Sequence, residues 1–375
     1  MKRQDHPLKS GSLGTQRTVS SFHFGMAGGG KAYIQASLHA DELPGMLVAW
    51  YLKKTLERLE AEGRVTGEII LVPQANPLGS AQAILGRAIG RFELASGENF
   101  NRHYPHLSET VYPRVKFGLG GDAAENTRLI REALRHEVAA QPEGSELASL
   151  RKTLLALAVD ADIVLDLHCD QRAAVHVYTG TPLWDQCEPL SRLLQSDAQF
   201  LATESGDNPF DEACSQTWWE IRDRCRADGL DVPVDLACLA VTVELRGQQD
   251  VSHALAQRDA AAIIDFLSLR GLIRSDTLPV LPPLRHDATP LAGSENLVAP
   301  HPGVICLHVE PGEVVVAGQA VADVIDPVLD RVTTLTSQYG GVVYAMALHP
   351  SAMAGQTVAK VATRQAFKSG KLLTA

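Results

Sequence analysis

The chain has no Cys-x-x-Cys pair; its six cysteines (Cys169, Cys187, Cys214, Cys225, Cys238 and Cys306) are scattered. That fits reduced, mostly buried thiols in a cytoplasmic protein better than a disulfide framework or a thiolate zinc site. Nor is there a surplus of basic residues, since the net charge is −10. A general nucleic-acid binder needs a basic face to neutralise phosphates, so that class is set aside. An anionic small molecule stays open, because a few inward-pointing arginines make a local positive pocket. The opening Met-Lys-Arg-Gln-Asp-His-Pro-Leu lacks the apolar core of a signal peptide, and no later run is apolar enough to span a bilayer. No membrane partner is therefore expected.

What is present is ordinary soluble-protein material, with 45% hydrophobic and 21% charged residues in 375 positions. That length has room for one large domain and a smaller one. Strand-like segments at 32–38, 68–73, 163–168, 174–178 and 240–245 alternate with helical patterns at 43–62, 122–140, 145–158, 184–194, 217–227 and 255–269. Such alternation predicts an α/β fold, a mixed but mostly parallel sheet with helices on both faces. A proline-rich stretch at 277–287 reads as a linker between a catalytic domain at 1–276 and a region at 288–375. In that last region Gly303-Val-Ile and Gly318-Gln-Ala-Val return as Gly341-Val-Val and Gly355-Gln-Thr-Val, 38 and 37 residues later. The repeat predicts a small all-β domain with quasi-twofold symmetry, resembling lipoyl and biotinyl carrier barrels. The connector between the copies has no Met-Lys-Met-like lysine, so a carrier's function is not expected.

The most informative local feature is His39-Ala-Asp-Glu42, at the point where a buried strand gives way to a helix opened by Pro44. An imidazole and a carboxylate at one corner suit a borderline metal such as zinc. Spacing alone proves little, because His106-Leu-Ser-Glu109 repeats it in a loop-like stretch without a flanking strand. Context separates the two. His168, in Asp166-Leu-His168, completes a His/Glu/His set that leaves a fourth zinc position open. Asp166 or Asp170 could accept an imidazole N–H, and either could equally orient His39. Glu244 ends an apolar strand, where burial would raise its pKa and suit it to moving protons. Arg91 and Arg102 are cations able to hold an oxyanion and a carboxylate. Each residue also has a structural alternative. Glu42 could serve a helix N-terminus, Glu244 could pair with Arg102 or Arg246, and Arg87 competes with Arg91. Trp218-Trp219 is read as packing in the core or lining a lid, without chemistry.

In order along the chain, His39/Glu42, Asn76-Pro77, Arg91, Phe100-Asn101-Arg102, Asp166-Leu-His168 and Thr242-Val-Glu244-Leu resemble the motifs of the succinylglutamate desuccinylase/aspartoacylase family, within the zinc carboxypeptidase-like superfamily. The likeness covers about residues 30–270. It departs at Leu78, where aspartoacylases proper carry arginine, at Cys169-Asp170 in place of Thr-Gly, and at Arg246-Gly247 in place of Gly-Gly.

The resemblance implies one zinc ion on His39, Glu42 and His168, with Glu244 as the general base of a metal-activated water and Arg91 at the oxyanion. Asn101 and Arg102 would meet the substrate, a small N-acylated amino acid or amine. Arg246, an extra cation outside the family pattern, could bind substrate as well or simply balance nearby acids. Loops 103–121 and 203–217 would set its identity. A metallocarboxypeptidase acting on short peptides is the nearest rival, and a non-catalytic binding or assembly protein is a rival of another class. A homo-oligomer is compatible with everything above.

Overall fold

The computed structural model describes residues 1–373, so the last two residues of the expected β region lie outside the described residues. A nine-stranded sheet forms the centre. Its strands are β1 (Lys2–Pro7), β2 (Thr18–Phe24), β3 (Lys31–Ala36), β4 (Glu68–Val72), β5 (Ile163–Asp170), β6 (His176–Gly180), β7 (Ala198–Ala202), β8 (Leu239–Gly247) and β9 (Thr289–Pro290). They lie in the order β1-β2-β4-β3-β5-β8-β6-β7-β9. The run β4-β3-β5-β8 is parallel throughout, while β1, β2 and β6 join antiparallel neighbours. This is the mixed, mostly parallel sheet expected.

Among the described residues, seven helices of eight or more residues cover the two faces: α1 (Pro44–Ala61), α2 (Ser108–Val115), α3 (Ala123–Ala139), α4 (Glu146–Ala158), α5 (Trp184–Leu194), α6 (Phe210–Ala227) and α7 (His253–Leu269). Alternation along each strand feeds two cores. Ala32, Ile34, Leu165 and Val241 pack against Val48 and Leu52 of α1, Leu190 of α5 and Ile263 of α7. Tyr33, Ile70 and Val164 pack against Val111 of α2, Leu134 of α3, Leu150 of α4 and Trp218 of α6. Local chemistry sets the helix starts. Pro44 sits in the first turn of α1, where its missing N–H is no loss. The side chains of Asp122, Ser145 and Ser252 accept from backbone N–H groups at the starts of α3, α4 and α7.

Three local expectations need correction. The strand expected at 32–38, β3, ends at Ala36 instead of Leu38, because Ser37 takes a left-handed backbone (φ 63°) that turns the chain out of the sheet. The stretch around Glu109 is the helix α2, not a loop, because Val111, Tyr112 and Val115 bury themselves beside α3. The N-terminal hairpin β1–β2 and strand β7 had no counterpart among the sequence-derived strands.

Beyond β9 the two repeat copies supply Gly303–Leu307 with Ala320–Asp326 and Gly341–Met346 with Thr357–Ala362, each pair antiparallel and each in its own sheet. This all-β region is joined to the large sheet's surroundings. Ala345 and Met346 pair with Ala173 and Arg172 just after β5. The Lys360 ammonium lies 2.8 Å from Asp170 Oδ2 at the end of β5. Among the described residues all six cysteines are free, and only Cys306 is exposed. No described helix is long and apolar enough to cross a membrane.

Candidate active site

Strands β3, β5 and β8 are adjacent and parallel, so their carboxyl ends share one edge of the sheet. The His39 corner is pinned there by backbone contacts. Asn76 donates from Nδ2 to the Leu38 carbonyl at 2.8 Å and accepts at Oδ1 from Gly79 N–H at 2.8 Å. The Ala40 N–H donates to the Gly90 carbonyl at 3.0 Å. A Cβ at position 90 would lie 2.3 Å from the Asp41 nitrogen, so only glycine permits this approach, and the approach sets Arg91 over the corner.

His39, Glu42 and His168 converge there, all three buried, with one donor atom from each lying within 4.8 Å of the others. Glu42 bridges the two rings: His39 Nδ1 is 2.9 Å from its Oε1 and His168 Nδ1 is 2.8 Å from its Oε2. The far ring nitrogens are taken up elsewhere. His39 Nε2 lies 2.8 Å from Asn99 Oδ1, and His168 Nε2 lies 2.9 Å from Asp166 Oδ2. Asn99 Oδ1 is placed to accept from His39 Nε2, and Asp166 Oδ2 stands beside His168 Nε2, so each ring turns its Nδ1 to the carboxylate, where a metal would join all three. Two imidazole nitrogens and one carboxylate, dry and convergent with their outer nitrogens occupied, are the donor set that zinc takes. The residues fit the ion that the fold family implies.

Electrostatics agree with that fit. Burial, then the charge of Arg91, pulls His39 down to about 4, which keeps its imidazole neutral for a metal. Against burial, Asp166 and Glu42 hold His168 well above the ordinary histidine range. Glu42 is lowered despite burial, by His39 and His168.

Glu244 of β8 stands in register with His168 of β5. It is half-buried, and its Oε2 has no hydrogen-bond partner. Burial, then the charge of Glu42, pushes it up to about 8. Arg91, not Arg87, faces the centre: its Nη1 is 3.3 Å from both His39 Nδ1 and Glu42 Oε1, whereas Arg87 is exposed on a two-stranded hairpin. Asn101 and Arg102 are buried on the same cavity wall. Asn101 Oδ1 already accepts from the Phe210 N–H at 2.9 Å, so it also holds the start of α6.

Arg246 is the residue the structure does not bring in. The register between β8 and β5 shifts between Glu244 and Gly247, and Arg246 has φ 67°. Two-residue alternation would place Arg246 on Glu244's side; the β-bulge breaks it. The guanidinium turns instead to Asp259 on α7, with which it forms an ion pair. Asp170 likewise makes no hydrogen bond or ion pair with His39 or His168. Against burial, the Lys360 ammonium holds its carboxyl down to about 2, and it serves the join to the β region.

The centre opens into a cavity of about 480 Å³, a size suited to a small molecule. The β region closes part of it with His349, Gln356 and Lys360. No residue of 103–121 lines it, whereas Ser205, Asp211 and Glu212 do. Two contributions had gone unread in the sequence. Asn99 orients His39, and its place two residues before Asn101 was the available signal. Asp211 and Glu212 open α6 seven positions earlier than its expected start at Thr217, so they had been assigned to a loop.

Residues 28–270 match the family model described as the succinylglutamate desuccinylase/aspartoacylase catalytic domain. No curated protein matches the sequence. Among solved structures, a succinylglutamate desuccinylase/aspartoacylase family protein of Shewanella amazonensis SB2B superposes with TM-score 0.85 at 26% identity, covering 97% of this chain and 99% of its own. A second, from Shewanella frigidimarina NCIMB 400, gives 0.84 at 26%, covering 96% and 97%. A third, from Rhodobacter sphaeroides, shares the fold with TM-score 0.64 at 15% identity, covering 97% and 96%. The chain belongs to the succinylglutamate desuccinylase/aspartoacylase family.

Proposed function

We propose that the protein is a zinc-dependent amidohydrolase that removes the acyl group from a small N-acylated amino acid or amine. The observation that carries this reading is the buried His39/Glu42/His168 set with Glu244 in register beside it, on the wall of one cavity. A bound zinc supplies Lewis acidity, polarising the scissile carbonyl and lowering the pKa of water. Glu244 takes the proton of the attacking water on its unpartnered Oε2 and returns it to the leaving nitrogen, so the C–N bond breaks to a carboxylate and an amine. Arg91, whose guanidinium borders the ligand atoms, faces the carbonyl oxygen as negative charge develops there. Arg102, with the Asn101 Nδ2 beside it, takes a substrate carboxylate.

The walls contributed by His349, Gln356 and Lys360 favour small substrates over long peptides. The test is a screen of zinc-loaded protein on N-acetyl, N-succinyl and N-formyl amino acids beside short peptides, with released amine measured before and after chelation. Release from acyl amino acids that stops on chelation is the expected result. Cleavage of peptides alone would favour a carboxypeptidase, and turnover that survives complete zinc removal would end the metal reading.

A further inference from the structure

Behind His168 lies a polar side chain that the proposed deacylation leaves without a task. Between Ala32 and Ala36, strand β3 carries one amide, Gln35, and it is fully buried. An amide in a central strand costs stability unless both its ends are bonded. Here both are. Tyr33, two residues earlier and so on the same face, donates its hydroxyl to Gln35 Oε1 at 2.8 Å. Gln35 in turn donates from Nε2 to Asp166 Oδ1 at 3.0 Å. Ala32, Ile34 and Ala36 belong to the opposite core, so this polar line keeps to one side of the strand.

The line has a direction. Gln35 and Asp166 are register partners on the adjacent parallel strands β3 and β5, so their side chains stand next to each other. A carboxylate only accepts, so it meets the NH2 of the amide; a reversed amide would set two acceptors together. Asp166 is fully buried, and among the described residues Gln35 is the hydrogen-bond donor to its Oδ1. Its other oxygen, Oδ2, lies 2.9 Å from His168 Nε2. Holding one carboxyl oxygen fixes the plane of the group, and with it the side from which the other meets the imidazole. Without Gln35, Asp166 could turn about its Cβ–Cγ bond with Oδ1 buried and unpaired.

We infer that Gln35 is a positioning residue for the metal centre: by fixing Asp166 it sets the His168 ring so that Nδ1 faces the metal. Its side-chain bonds go to Tyr33 and Asp166, and it does not line the cavity, so it acts through Asp166 alone. Tyr33, behind it, supports the same orientation of the amide. The inference rests on the metal site of the deacylase reading above. Partners that orient a ligating imidazole from outside tune how tightly the metal is held.

The test uses the full-length protein stripped of metal, with zinc or cobalt alone as the probe. Zinc affinity is read against a competing chelator, and coordination geometry from the visible absorption of the cobalt-loaded protein. Gln35→Met keeps the length and removes the donor. It should weaken zinc binding about tenfold, the low end for an outer partner, and shift the cobalt bands. Tyr33→Phe should give a smaller loss in the same direction. Ile34→Val trims the opposite face of the same strand and should change neither reading. Wild-type affinity and spectrum in Gln35→Met would overturn the positioning role, as would the same result in Tyr33→Phe where Gln35→Met does not fold. An equal loss in Ile34→Val would also overturn it, by marking a general loosening of the strand. A wild type that takes up neither metal would overturn the metal reading and this one together. Metal uptake without release of amine from any acyl compound would overturn the deacylase reading alone.

Discussion

Two corners of this molecule share one sequence spacing and nothing else. His39 and Glu42 sit where a central parallel strand leaves the sheet, both buried, and their side chains meet each other and His168. His106 and Glu109 sit at the start of the surface helix α2, both exposed. There His106 Nε2 turns to Glu220 of α6 at 2.7 Å, not to Glu109. A ligand pair is made by what surrounds it: a third donor from the neighbouring strand, outer nitrogens occupied by Asn99 and Asp166, and exclusion of water. An exposed histidine–carboxylate contact of the His106 kind contributes little.

The comparison can be broken most sharply by deleting one residue from each corner. Glu42→Ala should abolish stoichiometric metal and all turnover, while Glu109→Ala should leave both unchanged, as read by metal content and amine release. Next in size is Glu244→Gln, which should keep the metal and lose about 10²–10⁴-fold in kcat. Loss of metal in that variant would move Glu244 from proton transfer to ligation. Smaller again is Asn99→Ala, which frees His39 Nε2 and should weaken metal binding about 10–100-fold, measured against a competing chelator. His106→Ala, by contrast, should not alter metal affinity.

Protons offer a graded version of the same contrast. Asp166 and Glu42 raise His168 in the metal-free centre, so its proton must leave as the metal enters. Metal affinity is then weakest at low pH and rises with pH. The expected slope is about tenfold per unit, for one displaced proton, from the ordinary histidine range upward. A flat profile would place the metal away from His168.

Much of this centre was legible in the sequence because it lies on regular elements. His168 and Glu244 stand on apolar strands whose ends could be counted, and Pro44 marked the start of α1. The alternation of elements was enough for the sheet and its two helical layers. What escaped reading depends on backbone turns that side-chain patterns do not report. Ser37 and Arg246 both take left-handed conformations. The first shortens β3, and the second carries a predicted substrate contact round to Asp259. Asp211 and Glu212 were missed for a different reason. Their helix starts on a Phe-Asp-Glu turn after Pro209, and its long apolar periodicity begins only later. The helix α2, with Pro113 inside it, forms because tertiary packing outweighs the local cost of proline.

The central claim is that the buried corner, and not its exposed double, holds the metal. Anomalous diffraction at the zinc edge from crystals of the zinc-loaded protein tests it most directly. The account predicts one strong peak about 2.0–2.2 Å from His39 Nδ1, His168 Nδ1 and a Glu42 oxygen, and none at His106. An empty corner in zinc-loaded crystals, or a peak at His106 in its place, would contradict it.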